Sequence, residues 1–296
     1  MSPALYVLMG LIVVADVALV MSWIAAIRSR KVGWVPAASD LAIGLGTCFL
    51  DTLGIGNYAQ ITALYKFRAR PSDELIPGTL NVGCGPPALF SSLLFITSVK
   101  VQPALLLSMV LASAAGAWLG AGIVSRMDRR TIQLLMGTAL LIAACFFTMT
   151  NVGVLPPAGT AMALSGWRFG LAVSASFGLG ALMCAGIGNY APSMALLAFL
   201  GMHPLAAYPI MIASDGLLIP VAGLGFIRSG RFSSPAAAGI VLGGAIGTLL
   251  AFPLVRALAG HLALMRWVVI GVIIYAAISM LRSAARVPDG QSRPVP

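Results

Sequence analysis

Charge is scarce in this 296-residue sequence: 9% of its residues are Asp, Glu, Lys or Arg. A soluble domain carries roughly 25%. Here 59% of the residues are hydrophobic and the mean hydropathy is +0.99. No soluble fold of this length hides so much apolar surface, so the composition predicts a polytopic membrane protein. Acidic residues are scarcest, 8 against 18 Lys and Arg, for a net charge of +10. That excess does not point to nucleic acid. The basic residues stand in short clusters between apolar runs, as the positive-inside rule expects. There are 2 histidines, His203 and His261, far apart in the chain. The 4 cysteines (Cys48, Cys84, Cys145, Cys184) are scattered singly through apolar runs, with neither metal-ligand spacing nor a disulfide framework. HExxH, GxSxG and a Walker loop with its Lys are all missing. No polar stretch is long enough for a nucleotide-binding domain. These absences argue against an enzyme, a resident metal, a cofactor and an ATP-driven pump.

What the chain does have is apolar length. Segments of that kind run over about 4–27, 37–65, 75–98, 103–125, 131–150, 168–200, 204–227, 234–258 and 263–282. A helix needs about 20 residues to cross a bilayer. Residues 4–27 are too long, and lack the basic leader, for an ordinary signal peptide, so they read as a first span. Two segments, 37–65 and 168–200, are longer than one crossing requires. The tail after Arg286 is polar and Pro-rich, a composition typical of disorder.

Both overlong segments contain the same phrase. GIGNYA runs from Gly54 to Ala59 and again from Gly186 to Ala191, an offset of 132 residues. Pro77 and Pro209 hold that offset, as do Pro103 and Pro235. The expected fold is therefore all-α, with two repeats of four segments each and one extra N-terminal span. The expected divisions are 1–36 (extra span and basic loop), 37–150 (first repeat), 151–167 (linker), 168–283 (second repeat) and 284–296 (tail). Charge orients them. If each overlong segment is a re-entrant hairpin, every Lys and Arg outside the helices falls on one side except Lys100, Arg168, Arg256 and Arg266. If both cross, the bias nearly vanishes. Hairpins leave each repeat with three crossings, so the repeats stand inverted, an architecture tied to alternating access. The plainer alternative is two parallel repeats with kinked first helices.

The phrase also suggests chemistry. Gly54 and Gly56, like Gly186 and Gly188, let the backbone bend. Asn57 and Asn189 follow, and Asn is a favoured N-cap. Two half-helices starting there would aim unpaired N–H groups at a common point, a small anion site with no buried Lys or Arg. Equally, Gly and Ala there could serve close helix packing alone. Tyr58 and Tyr190 could donate a hydroxyl or merely pack. The next segment of each repeat carries Thr79 and Asn81 or Ser214, which could donate to an oxyanion or bond helix to helix. Asp215 lies midway along an apolar segment, where a carboxyl is costly and usually functional; it is the leading candidate for proton coupling. Asp51 is second and Asp16, in the first span, third. Cys84 and Cys184 could touch a sulfur compound but suit small apolar fillers better.

Together LGIGNYA at 53–59 and DELIPGTLNVG at 73–83 resemble the TauE/SafE family of sulfite exporters, the TSUP permeases. The likeness covers roughly residues 37–283. Members carry a Gly-rich phrase in the first segment of each of two repeats, carried over here as Gly54, Gly56, Gly186 and Gly188. Asn-Tyr stands where members often continue with Gly-Gly. The resemblance implies secondary transport of a small sulfur-containing or organic anion, such as sulfite, thiosulfate or a sulfonate, often outward and proton-coupled. The expected setting is the inner membrane, crossed several times, with the bilayer and the anion as partners. A small-solute channel and a non-transporting membrane scaffold remain the other readings.

Overall fold

The computed structural model describes residues 3–30, 33–53, 56–96, 101–154, 160–186, 188–254 and scattered positions from 267 to 285. Among them the chain is mostly helical, with no strand and one isolated bridge, between Ala161 and Met202. The helices are α1 (Pro3–Arg30), α2 (Ala38–Thr52), α3 (Tyr58–Arg68), α4 (Ile76–Gly83), α5 (Gly85–Phe95), α6 (Pro103–Val124), α7 (Arg129–Asn151), α8 (Gly166–Met183), α9 (Tyr190–Phe199), α10 (Pro204–Ser229) and α11 (Ser234–Ala251). Four stretches are long and apolar enough to cross a membrane: Pro3–Ser29, Pro103–Val124, Ala206–Ser229 and Ser234–Leu254. They mark a membrane protein. α1 shows why. One seam of it, Leu8, Ile12, Asp16, Leu19 and Trp23, is buried, while Val7, Val14, Val17 and Met21 are exposed. An apolar face turned outward suits lipid.

Proline sets several helix starts. Pro103 and Pro235 lie in the first turns of α6 and α11, where the missing N–H costs nothing. Pro77 does the same for α4, whereas Pro209 sits inside α10. The segment expected to run unbroken over 75–98 does not. A 3-10 turn at Asp73–Leu75 leads into α4, and Cys84 separates α4 from α5. The cause is local: Pro86 and Pro87 cannot donate to the carbonyls four residues back. The last apolar segment, 263–282, is described at scattered helical positions only. The tail from 286, and residues 155–159 of the linker, lie outside the described residues.

The most extensive pairings are α2 with α11 and α6 with α8. Both use glycine to bring backbones together. A Cβ on Gly44 would meet the Gly239 carbonyl, and one on Gly243 or Gly247 the carbonyls of Leu41 or Leu45. On the other pair, a Cβ on Gly116 would collide with the Phe177 carbonyl, on Gly120 with Ala181 and on Gly180 with Ser113. Such small-residue faces are how apolar helices associate without a hydrophobic driving force. Both pairs run parallel: Asp40 meets Gly239 and Leu45 meets Gly247, while Leu164 N–H reaches Gln102 before the start of α6 and Cys184 reaches Ala117 further along it.

Both overlong segments double back. Arg68, at the end of α3, pairs with Asp40, at the start of α2, at 2.7 Å. A continuous helix would separate them by about 42 Å. The second return is tied by backbone: Ala161 N–H donates to the Gly201 carbonyl at 3.1 Å and His203 N–H to Ala161 at 2.8 Å. The two hairpins open at opposite ends of the molecule. Around the first opening lie the Lys66–Asp73 pair (2.8 Å), Ser233 N–H on Thr79 (2.9 Å), Trp23 on Ser234 (2.9 Å) and Arg231 on the Met127 carbonyl (3.5 Å). Arg28, Arg70, Arg126, Arg130 and Arg228 stand within a few residues of these contacts along the chain. Arg168 stands at the other end, beside Gly201. Lys100, Arg256 and Arg266 lie outside the described residues.

Candidate functional site

Each hairpin turns on its GIGNYA phrase. Gly56, Gly186 and Gly188 hold φ of 78°, 93° and 76°, left-handed values that favour glycine. Gly54, Ile55 and Ile187 lie outside the described residues. α3 begins at Tyr58 and α9 at Tyr190, so each break ends one helix and starts another where the sequence places it. The tips also meet. A Cβ on Gly188 would lie 3.4 Å from the Cβ of Tyr58, and one on Gly186 3.6 Å from the hydroxyl oxygen of Thr62. α2, at 15 residues, is about 22 Å long. That is shorter than the roughly 30 Å thickness of a hydrocarbon layer.

The asparagines do something other than cap. Asn57 occupies the N-cap position of α3, but no side-chain hydrogen bond caps the helix. Its Nδ2 turns instead to the sulfurs of Cys48 (3.6 Å) and Cys84 (3.8 Å). The cap expectation is corrected in its side chain, not in its position: neighbouring α2 and the α4–α5 break offer acceptors on the other side. Asn189 Nδ2 donates to Asp215 Oδ1 at 3.0 Å and its Oδ1 accepts from Ser193 at 2.7 Å. The carbonyl left open by the first break, that of Gly56, accepts from Gln60 Nε2.

A cavity of ≈ 20 Å³ opens beside the first tip, lined by Asp51, Thr52, Asn57, Ser91, Phe95 and Asp215 together with Ala88, Ile212 and Ile219. It has room for about one water. The two leading carboxyl candidates thus share one space, although they come from α2 and α10. Asp16 is not among the lining residues. It is buried in the α1 seam, both carboxyl oxygens lack a hydrogen-bond partner, and a Cβ on Gly85 would lie 3.1 Å from Oδ1.

The other expected residues divide. Tyr58 is buried and donates its hydroxyl to Asn81 Oδ1 at 3.2 Å, while Asn81 Nδ2 donates to the Pro77 carbonyl at 2.8 Å. Thr79 donates to the Leu75 carbonyl at 2.7 Å and accepts Ser233 N–H. It belongs to the open end of the first hairpin, away from the cavity. Ser214 is buried next to Asp215 but is not among the cavity-lining residues. For Tyr190 the described part is the backbone that starts α9. Cys84 lies beside Asn57. Cys184 packs against the Ala117 carbonyl at 3.2 Å, a filler's place.

Sequence reasoning passed over Ser91, Gln60, Cys48 and an aromatic group. Ser91 was visible as half of a Ser-Ser pair in an apolar helix. The aromatic group was not. Phe95 meets Tyr208 edge-on, with centroids 5.5 Å apart at 84°, and Phe252 at 5.2 Å and 71°. Tyr208 also donates its hydroxyl to the Thr52 carbonyl at 3.3 Å. The group lies on the cavity's side away from the basic end. Among known proteins no family model matches the chain, and neither a curated protein nor a solved structure is similar to it.

Proposed function

We propose that the chain is a secondary transporter of a small oxyanion, working by alternating access across the inner membrane. The observation that carries this reading is the meeting of two doubled-back segments, entering from opposite ends, next to a cavity at the first tip that two carboxyl groups line. Broken helices meeting at mid-depth are the usual ground plan of a carrier's binding site, and irregular backbone is tolerated there only when buried in protein or lining a cavity. The repeated phrase, the shared 132-residue offset and the exchanged pairings support an inverted repeat. α2 of the first half lies on α11 of the second, and α8 of the second on α6 of the first. The basic end would then be cytoplasmic.

In this reading the N-termini of α3 and α9, with partial positive charge, receive the anion. The ≈ 20 Å³ cavity is too small for a sulfite or sulfonate, so loading the anion requires the tips to move apart. In this reading Phe95, which lines the cavity, and the Tyr208 and Phe252 rings packed on it form the outer gate, and Tyr208 ties that gate to the hairpin through Thr52. Outward opening requires this group to part. The carboxyls impose a rule: an anion beside Asp51 and Asp215 is repelled unless their charge is neutralised, which couples anion movement to a proton or another cation. The resemblance to the TauE/SafE exporters supports sulfite, thiosulfate or a sulfonate as the anion class.

Uptake into proteoliposomes by the purified protein tests this. Saturable, gradient-driven accumulation of one of these anions, lost in Asp215→Asn, is the expected result. Flux linear in concentration would favour a channel. No flux and no binding would favour a scaffold.

A further inference from the structure

The polar wall of the cavity is made of oxygen and amide groups: Asp51 and Thr52 from α2, Asn57 at the break, Ser91 from α5 and Asp215 from α10. No Lys, Arg or His lines it. Ser91 is 9% exposed, and its Oγ has no hydrogen-bond partner. A hydroxyl buried in that way is costly unless something occupies the space it faces. Asn57 has its Nδ2 turned to two sulfurs, which leaves Oδ1 for the cavity. Two carboxylates in one small space repel each other unless one takes up a proton or a cation lies between them. The space itself is the size of one water, which suits a bare ion and not a polyatomic anion. Hard oxygen donors select hard cations. Among the described residues no group of three or more His, Cys, Asp and Glu is placed to hold a metal ion, so the donor set is not that of a transition metal.

We propose that this cavity binds one dehydrated Na⁺, held by the carboxylates of Asp51 and Asp215 with Ser91 Oγ and Asn57 Oδ1 as neutral ligands. The inference rests on the carrier reading and names its coupling ion. One Na⁺ between the carboxylates halves their combined charge, from −2 to −1, and so weakens the repulsion that otherwise keeps an anion from the adjacent helix tips. Because Asp51 and Asp215 belong to different helices, the ion also draws α2 toward α10, beside the Tyr208–Thr52 contact.

The test is thermal unfolding of the purified full-length protein in detergent. It is titrated with NaCl, KCl and choline chloride at constant ionic strength, then with sulfite, thiosulfate and a sulfonate in sodium or in choline. The expected result is a saturable rise in Tm with Na⁺ alone, since a ligand that binds the folded state stabilises it by mass action. Asp51→Asn should abolish that rise. Ser91→Ala should weaken the apparent Na⁺ affinity about tenfold, the worth of one ordinary hydrogen bond, and Ser91→Thr should restore it. If Asp51→Asn fails to fold, the Ser91 pair carries the test. Equal responses to the three salts, or a Na⁺ response unchanged in both Ser91→Ala and Asp51→Asn, would overturn the proposal. An anion that stabilises equally in sodium and choline would overturn the coupling and leave the carrier reading standing. The expected Na⁺ response without stabilisation by any anion would support the ion site and count against the anion carrier.

Discussion

At Gly188 the backbone sits at φ 76° and a Cβ would press on Tyr58 from 3.4 Å. An L-residue there pays for both conformation and contact. Gly188→Ala should lower stability by about 1–2 kcal/mol. Gly178, inside α8 with open space around it, is the control: Gly178→Ala should be neutral or stabilise by up to about 1 kcal/mol. Thermal unfolding of the two variants side by side checks this. The carboxyls invite a second comparison. Asp215 lines the tip cavity and Asp16 does not, so Asp215→Asn should abolish gradient-driven uptake while Asp16→Asn keeps it within about twofold. Equal losses would place Asp16 in the mechanism. The glycine phrase was legible because only certain residues accept a left-handed turn, and that need is local. The partners of Asn57 were not legible. A sulfur from α2 and another from the α4–α5 break reach it through folding in space, and no spacing in the sequence records them.

Helix pairing makes sharper demands than helix formation. The Gly239, Gly243 and Gly247 row on α11 lies against the backbone of α2, so Gly243→Leu must push two helices apart. The expected cost is about 1–3 kcal/mol or more, measured as loss of monodisperse protein and a lower Tm. α7 offers a milder test outside the apolar stretch. Asp128 accepts N–H groups from Arg130 (3.1 Å) and Thr131 (3.3 Å), and the Thr131 hydroxyl beside it holds its carboxyl below the ordinary range. A carboxyl with a depressed folded pKa adds stability above its unfolded pKa and loses it as pH falls through the folded value. Asp128→Ala should therefore lower Tm at neutral pH, and the difference from the native chain should shrink in acid below the usual carboxylate range. Element boundaries were mostly readable, from proline starts and apolar length. The α4–α5 break was written in Pro86-Pro87 and escaped because hydropathy runs unbroken across it. Thr79 was placed at the site by depth along the chain, but it lies in the second turn of α4, near the hairpin's open end.

For the whole molecule, the openings of the two hairpins predict sidedness. With Arg70→Cys and Arg168→Cys made separately in a chain lacking its native cysteines, a membrane-impermeant maleimide added from outside should label the second and spare the first. Labelling of both from one side would undo the inverted arrangement. The charge pattern was enough to suggest hairpins, because Lys and Arg are excluded from the hydrocarbon whatever the tertiary fold. It could not show that the tips touch, since that depends on which helices lie side by side.

The exchanged pairings also bear on how the chain is made. α2 finds its main partner in α11, which begins about 180 residues after α2 ends. At about 5–20 residues per second, the first hairpin waits roughly 10–40 s after synthesis, its glycine-accommodating groove open to lipid. In that interval the Arg68–Asp40 pair is the tether at hand to keep the hairpin bent. Weakening it costs the finished protein little, since a partly exposed ion pair is worth under about 1 kcal/mol. The same change at the ribosome leaves a long apolar segment free to straighten across the bilayer. Arg68→Ala should therefore reduce the yield of correctly inserted protein far more than it lowers the Tm of the molecules that do insert.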